Sequence, residues 1–208
     1  ATIATLRRYI RTNLFADALN QRLYALSKSE GAPFFSAQAG NALPCRAIES
    51  YTLSASAPQD GLLTALRVIL IEVERARLHG FSERELAVVR ANYESELRTT
   101  YLERHQVDST DMAGEASSHF LGGELVLGVE MEVVASKAIL QQMCSGDLLE
   151  AAANWDWKTS CVIKTVSPKP GCGSKSTTPT EAALREVFEQ VLRESLQLLP
   201  WRGGTMQQ

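Results

Sequence analysis

Two long helical patterns that meet at a sharp corner constrain the fold more than any other feature. Residues 62–97 read LLTALRVILIEVERARLHGFSERELAVVRANYESEL. Apolar residues recur at helical spacing up to His79, and Gly80 suits the left-handed position after a helix, where a side chain is strained. Ser82 and Glu85 then match a capping box, in which each side chain bonds a backbone N–H of the other residue. The sequence therefore predicts a helix–turn–helix corner.

The remaining patterns predict a chain with both helices and strands. A first amphipathic helix runs from Ile3 to about Ser29. Period-two alternation predicts strands at Phe34–Ala39 and Cys45–Ser56, joined by a turn at Gly40-Asn41. In chain order, the later predicted elements are helices from Ser82 to about Val107, Ser109–Phe120, Val129–Gln142 and Gly146–Asn154, a strand over 160–168, and a helix over Thr180–Leu199.

Composition and charge exclude several classes of function. The 208 residues carry a net charge of −3, so the chain lacks the basic footprint of a nucleic-acid or membrane-surface protein. No run of about 18 apolar residues occurs, which predicts no membrane-spanning helix. The four cysteines are scattered without zinc-ligand spacing, and reduced thiols predict an intracellular, soluble location.

The corner segment also contains a histidine and a glutamate that invite a metal-site interpretation. His79 and Glu83 are four residues apart, but Gly80 and Ser82 place a helix boundary between them. The two side chains then do not share a helical face. A histidine in the last turn of a helix more often interacts with the free carbonyl groups and the helix dipole. We predict a structural role for His79.

Four further residues are candidates for metal ligands or nucleophiles. Glu115 and His119 are spaced to share a helical face, but two ligands do not make a zinc site, and His105 lies beyond a predicted break. Cys144 precedes a helix start, where a thiol can become more acidic, yet a buried cysteine is the commoner case. No phosphate-binding loop or serine nucleophile motif is present. The sequence predicts no catalytic, cofactor-binding or metal-binding residue in this chain.

Three segments together carry a resemblance to a known family. They are the corner over 62–97, the upstream run ALNQRLYALSKSEGAPFFSAQAG and the downstream run MCSGDLLEAAANWDWKTSCVIKTVSP. Over roughly residues 5–167 the chain resembles a non-catalytic, C-terminal-type domain of the pitrilysin/insulinase family, the inverzincin zinc metallopeptidases. Among its subgroups, the large two-part proteases with four homologous domains look most similar. The inverted H-x-x-E-H zinc motif is absent from this sequence.

The resemblance implies a fold, a function and partners. The implied fold is α+β, an antiparallel sheet with several helices packed on one side, as in mitochondrial processing peptidase, here without its first strands. The implied function is that of a structural and substrate-chamber domain of a zinc endopeptidase that degrades peptides or unfolded polypeptides. Its partners would be the catalytic N-terminal domain, the other homologous domains and peptide substrate, with zinc held by the catalytic domain and none in this chain. An exposed sheet edge would also permit a homodimer.

The expected organisation has three parts, and two other functions stay open. We expect a family domain over 1–167, a linker over 168–179 rich in Gly, Ser, Thr, Lys and Pro, and a terminal helix over 180–208 that connects to a following module. The first alternative is a scaffold or partner subunit from a proteolytically inactive homologue. The second is an unrelated helical interaction module, which the β-rich segments disfavour.

Overall fold

Seven helices and one two-stranded sheet make up the part of the chain that the computed structural model describes, residues 2–45, 48–58, 60–122, 126–167 and 178–203. In chain order the elements are α1 Ile3–Ser27, β1 Ser36–Cys45, β2 Ile48–Ser56, α2 Leu62–His79, α3 Glu83–Leu102, α4 Ser109–Gly122, α5 Val129–Gln142, α6 Ser145–Ala152, α7 Glu181–Glu194 and a 3-10 turn at Ser195–Gln197. The predicted α+β class is confirmed.

The corner between α2 and α3 forms as the sequence predicts. Ser82 caps α3: its hydroxyl accepts from the N–H of Glu85, and the Glu85 carboxylate accepts from the N–H of Ser82. Gly80 has the predicted positive φ, but its angles of 65° and −150° lie outside the left-handed helical region. They fall in a region that is essentially restricted to glycine. The corner therefore depends on glycine even more strictly than predicted.

A buried arginine ties the first helix to this corner. The Arg22 guanidinium makes two bonds to the Glu85 carboxylate, at 2.6 and 3.1 Å, and a third to the carbonyl oxygen of Gly80 at 2.8 Å. It also lies over the rings of Phe81, at 4.3 Å, and of Trp201, at 5.6 Å. Buried cations need such pairing, because an unpaired charge away from water is costly.

Aromatic side chains pack the corner, α1 and the sheet against one another. The Phe15 ring packs edge-on against Phe81 of the corner and lies 5.3 Å from the Trp155 ring, between centroids. Trp155 in turn contacts Tyr51 of β2. Each such pair adds about 0.5–1.5 kcal/mol beyond the burial of apolar area. The core therefore runs from the corner through α1 to the sheet.

The sheet covers the helices with one face and exposes the other. Alternate residues of the hairpin point into the core, as the period of two requires. The residues packed on the core are Ala37, Ala39, Tyr51, Leu53 and Ala55. The exposed face includes the small and polar side chains of Ser36, Gln38, Thr52, Ser54 and Ser56.

The predicted turn at Gly40-Asn41 is wrong. Both residues lie inside β1, where Gly40 pairs with Thr52 and Asn41 with Tyr51. The strands therefore reverse further along, and residues 46–47, which lie between them, fall outside the described residues. Gly and Asn tolerate turn conformations but do not impose them. Here the tertiary contacts of β1 decided the outcome.

Asn20 of α1 makes the decisive contact with β1. Its side-chain amide donates to the carbonyl oxygen of Ala39 at 2.9 Å and accepts from the Ala39 N–H at 2.6 Å. A side chain thus takes the place that a neighbouring strand would occupy. Because the outward backbone groups of Ala39 are bonded in this way, the chain stays extended through the predicted turn.

The strand predicted over 160–168 is also wrong. Residues 161–167 have no regular secondary structure, and residue 168 lies outside the described part of the chain. Val162 and Val166 are 93% and 77% exposed. A β-rich sequence becomes a strand only when another strand pairs with it, and the described sheet pairs only β1 with β2.

Helix α7 packs on the second helix. Val187 and Val191 are buried, the Phe188 ring meets Trp157 edge-on, and Arg67 of α2 pairs with Glu194 at 2.6 Å. Most of the linker predicted over 168–179 lies outside the described residues. The predicted division at 1–167, 168–179 and 180–208 stays a prediction.

We expect Arg22→Met to lower the free energy of unfolding by about 3 kcal/mol, because the change leaves the Glu85 carboxylate without its buried counter-ion. Urea denaturation measures the effect. Arg193→Met is the matched control, since Arg193 pairs with Glu189 on the exposed surface of α7. An exposed helix pair of this kind contributes only about 0.3–0.5 kcal/mol. Equal losses in the two variants would contradict the role given to Arg22.

Candidate functional site

His79 and Glu83 form hydrogen bonds with different partners. The His79 ring nitrogen Nε2 lies 2.6 Å from the carbonyl oxygen of Leu198, to which it donates. The Glu83 carboxylate accepts from the N–H of Ser145 at 3.3 Å, at the start of α6. A carboxylate is favourable there because the first N–H groups of a helix are unpaired. In the structure both residues connect neighbouring segments.

The remaining ligand candidates lie on or next to α4. Glu115 and His119 are exposed residues of that helix, and His105 is exposed in the preceding turn. Among the described residues, no three His, Cys, Asp or Glu side chains are placed to hold one metal ion. A catalytic zinc needs three protein ligands. The residues described here therefore do not fit the zinc site that the family resemblance implies for the whole protein.

Cys144 caps the sixth helix. Its thiol donates to the Asp147 carboxylate over 3.4 Å, and its N–H donates to the same group at 2.9 Å. Arg7 of α1 bonds the other carboxylate oxygen at 3.2 Å. Burial alone raises the pKa of Asp147, but these bonds lower it more, so the net pKa is below its ordinary value. The recorded partner of the thiol is thus a carboxylate and not the imidazole that a cysteine nucleophile uses.

A groove of about 440 Å³ lies between α1, β1, α3 and α5. Its walls combine carboxylates, phenols, amides and a few apolar side chains. Among the described residues, no lysine, arginine or histidine lines it. The polar lining residues are Tyr9, Asn13, Asp17, Asn20, Gln38, Asn41, Tyr93, Glu96, Thr100 and Glu132. This groove is the concave feature that sequence reasoning missed.

The groove is acidic, and its carboxylates repel one another. Partial burial raises the pKa of Asp17, and the charge of Glu96 raises it further. Burial raises the pKa of Tyr93 to about 12, with added effects of Tyr9 and the carboxylates. Burial likewise raises the pKa of Glu132. Carboxylates that crowd together without a cation among the described lining residues favour the binding of a positively charged group between them.

The groove can accept N–H donors and cationic side chains, but it offers no nucleophile paired with a base. Part of the groove is visible in the sequence, because Tyr9, Asn13, Asp17 and Asn20 recur at helical spacing along α1. That polar stripe borders the apolar stripe of the same helix. The other walls come from elements far away in sequence, so the stripe alone could not reveal a groove.

A plant protein is similar to nearly the whole chain. "Zinc protease PQQL-like" of Arabidopsis thaliana is 34% identical over 202 residues, which is 96% of this chain and 18% of that protein. This chain belongs to the pitrilysin/insulinase family. The chain therefore spans less than a fifth of the curated relative that it matches. No family model matches the sequence.

Solved structures of the same family share the fold. The periplasmic protease PqqL from Escherichia coli superimposes with a TM-score of 0.75 at 16% identity, over 99% of this chain and 23% of that one. The first half of PqqL gives 0.72 at 16% identity, over 97% and 42%. An insulinase-family protease from Yersinia pestis gives 0.70 at 14%, over 92% and 40%. At these identities the likeness shows the fold alone.

Two findings bear on the cellular location of the chain. None of the helices in the described ranges combines the length and apolar character that crossing a bilayer requires. The structurally similar E. coli protease PqqL is periplasmic. The intracellular location predicted from the sequence therefore stays a prediction.

We expect Glu132→Gln to stabilise the chain at neutral pH. A carboxyl whose pKa is raised on folding costs stability once the pH exceeds its folded pKa, and costs nothing below the ordinary value of 4.5. The gain in melting temperature should therefore be present at pH 7 and vanish near pH 4. Thermal unfolding at both values measures it.

Glu94→Gln serves as the control, because Glu94 is an exposed residue of α3 outside the groove lining. It should change the melting temperature little at either pH. A loss of stability in Glu132→Gln at pH 7, or the same gain in both variants, would contradict the electrostatic account of the groove.

Proposed function

We propose that this chain is a non-catalytic, structural and substrate-chamber domain of a longer zinc-dependent endopeptidase, called the parent protein below. The parent protein would degrade peptides or unfolded polypeptides. The observation that carries the proposal is the match of nearly the whole chain to 18% of a zinc protease. Most of such a protein lies outside the matched part, which leaves room for a catalytic domain.

The residues of this chain support a non-catalytic role. The sequence has no H-x-x-E-H motif, and its three histidines are far apart in sequence. His79 bonds a backbone carbonyl, and the Cys144 thiol bonds a carboxylate that caps its own helix. We propose that zinc is held by another domain of the parent protein, and that the reaction takes place there.

Two features support a chamber role. On the outer face of the hairpin, the exposed side chains that the structure describes are small or polar. Such a face can lie against an extended polypeptide without selecting its side chains. The groove beside β1 adds carboxylates and phenols that can accept the N–H groups and basic side chains of a peptide. Neither feature needs catalytic chemistry of its own.

The partners proposed are the catalytic domain and the homologous domains of the parent protein. We also propose the earlier division of this chain, with 1–167 as the family domain and 180–208 as a connector. The packing of α7 on α2 means that such a connector would leave from a fixed position on the domain. We further propose a homodimer that forms through a sheet edge.

We expect the purified 208-residue chain to hydrolyse no unfolded polypeptide, with or without added zinc, whereas the parent protein does. A fluorogenic unfolded protein serves as the substrate, and a chelator control identifies metal-dependent turnover. Zinc-dependent turnover by the chain alone would overturn the non-catalytic assignment. An inactive parent protein would instead support the scaffold function of an inactive homologue.

A further inference from the structure

Helix α4 is folded, although none of its apolar residues is buried against the described part of the chain. None of its 14 residues is buried, although Met112, Ala116 and Phe120 form an apolar stripe at four-residue spacing. Phe120 is 86% exposed. Isolated helices of about this length are marginal in water, and most helical stability in proteins comes from packing an apolar face. Within the described ranges, no neighbouring element buries the apolar stripe of this helix.

Helix α5 is apolar on two sides. Its inner side buries Val133, Ile139 and Leu140. Its outer side carries Met131 and Val134, which are 59% and 63% exposed. A helix that is apolar around its whole circumference normally has neighbours on every side. The outer side of α5 thus gives a second, separate indication of a missing neighbour.

The start of α4 lies near α5, because Arg104 in the turn before α4 pairs with the Glu130 carboxylate at 3.4 Å, and the two helices together are acidic. Burial raises the pKa of the Glu132 carboxyl of α5, and the charge of Glu115 on α4 raises it further. The two helices carry four carboxylates, on Asp111, Glu115, Glu130 and Glu132, and one ammonium, on Lys137. A partner that fits this surface therefore needs basic groups around an apolar centre.

We propose that the stripes Met112–Ala116–Phe120 and Met131–Val134, called the α4–α5 surface, bind another domain of the parent protein through an apolar face rimmed by lysine or arginine. The inference rests on the proposed function, because that function supplies the longer polypeptide. Similar proteins are about four to six times as long as this chain, since it covers 23% and 18% of them. A tethered domain also has a high effective concentration.

Other occupants fit the surface less well. A second copy in a two-fold dimer would place the same carboxylates against one another, which is unfavourable. An anionic lipid surface would be repelled for the same reason. A transient peptide would leave α4 without support for most of the time. The permanent contact of a neighbouring domain supplies that support.

Hydrogen–deuterium exchange on the intact parent protein tests the proposal. We expect the amides of α4 to exchange slowly in the wild type, because the docked domain covers the helix. Phe120→Glu should speed exchange of α4 at least about tenfold and also speed exchange of a segment outside these 208 residues. Leu196→Glu is the matched control, since Leu196 is 88% exposed on the 3-10 turn after α7 and should leave α4 unchanged.

Three other outcomes count against the proposal. Fast exchange of α4 in the wild type would show that nothing covers it. Protection that depends on protein concentration would show a second copy, and protection that appears only with added peptide would show substrate. Unchanged exchange of α1 confirms that Phe120→Glu folds, and Phe120→Ala replaces it otherwise. A parent protein that is inactive but protected at α4 would refute the proposed function and leave this inference standing.

Discussion

The buried guanidinium of Arg22 is the contact on which the packing of this chain depends. It bonds the carbonyl of Gly80 and the carboxylate of Glu85, and two aromatic rings cover it. Glu85 has two tasks, because the same carboxylate also caps α3. Burial raises the pKa of Glu85, while the bonds from Arg22 and Ser82 lower it more, so that it stays below its ordinary value. One ion pair thus fixes α1 against α2 and α3.

Local signals in the sequence predicted the helices well. The capping box at Ser82 and the bounds Val129–Gln142 both appear as expected, because caps and helical periodicity act within a few residues. Arg22 itself carried a signal, since it interrupts the apolar stripe between Leu19 and Leu26. A charge in that position indicates a buried partner, although it does not say which one.

Predictions that depend on distant partners failed or could not be made. Gly40-Asn41 reads as a turn until the Asn20 amide is known to bond Ala39 and hold the strand extended. The segment 161–167 has a strand-like sequence but no strand beside it among the described residues. The walls of the groove come from four elements, so the sequence revealed only the polar stripe on α1. In each case, a contact between residues far apart in sequence decides the structure.

We expect this chain to build part of a zinc protease without holding the zinc. The zinc content of the purified 208-residue chain, measured by elemental analysis after dialysis, tests this most directly. We expect far less than one zinc per chain, because no three potential ligands meet among the described residues and a stable site needs at least three. One tightly held zinc per chain would show that such residues do meet, and it would contradict the central claim.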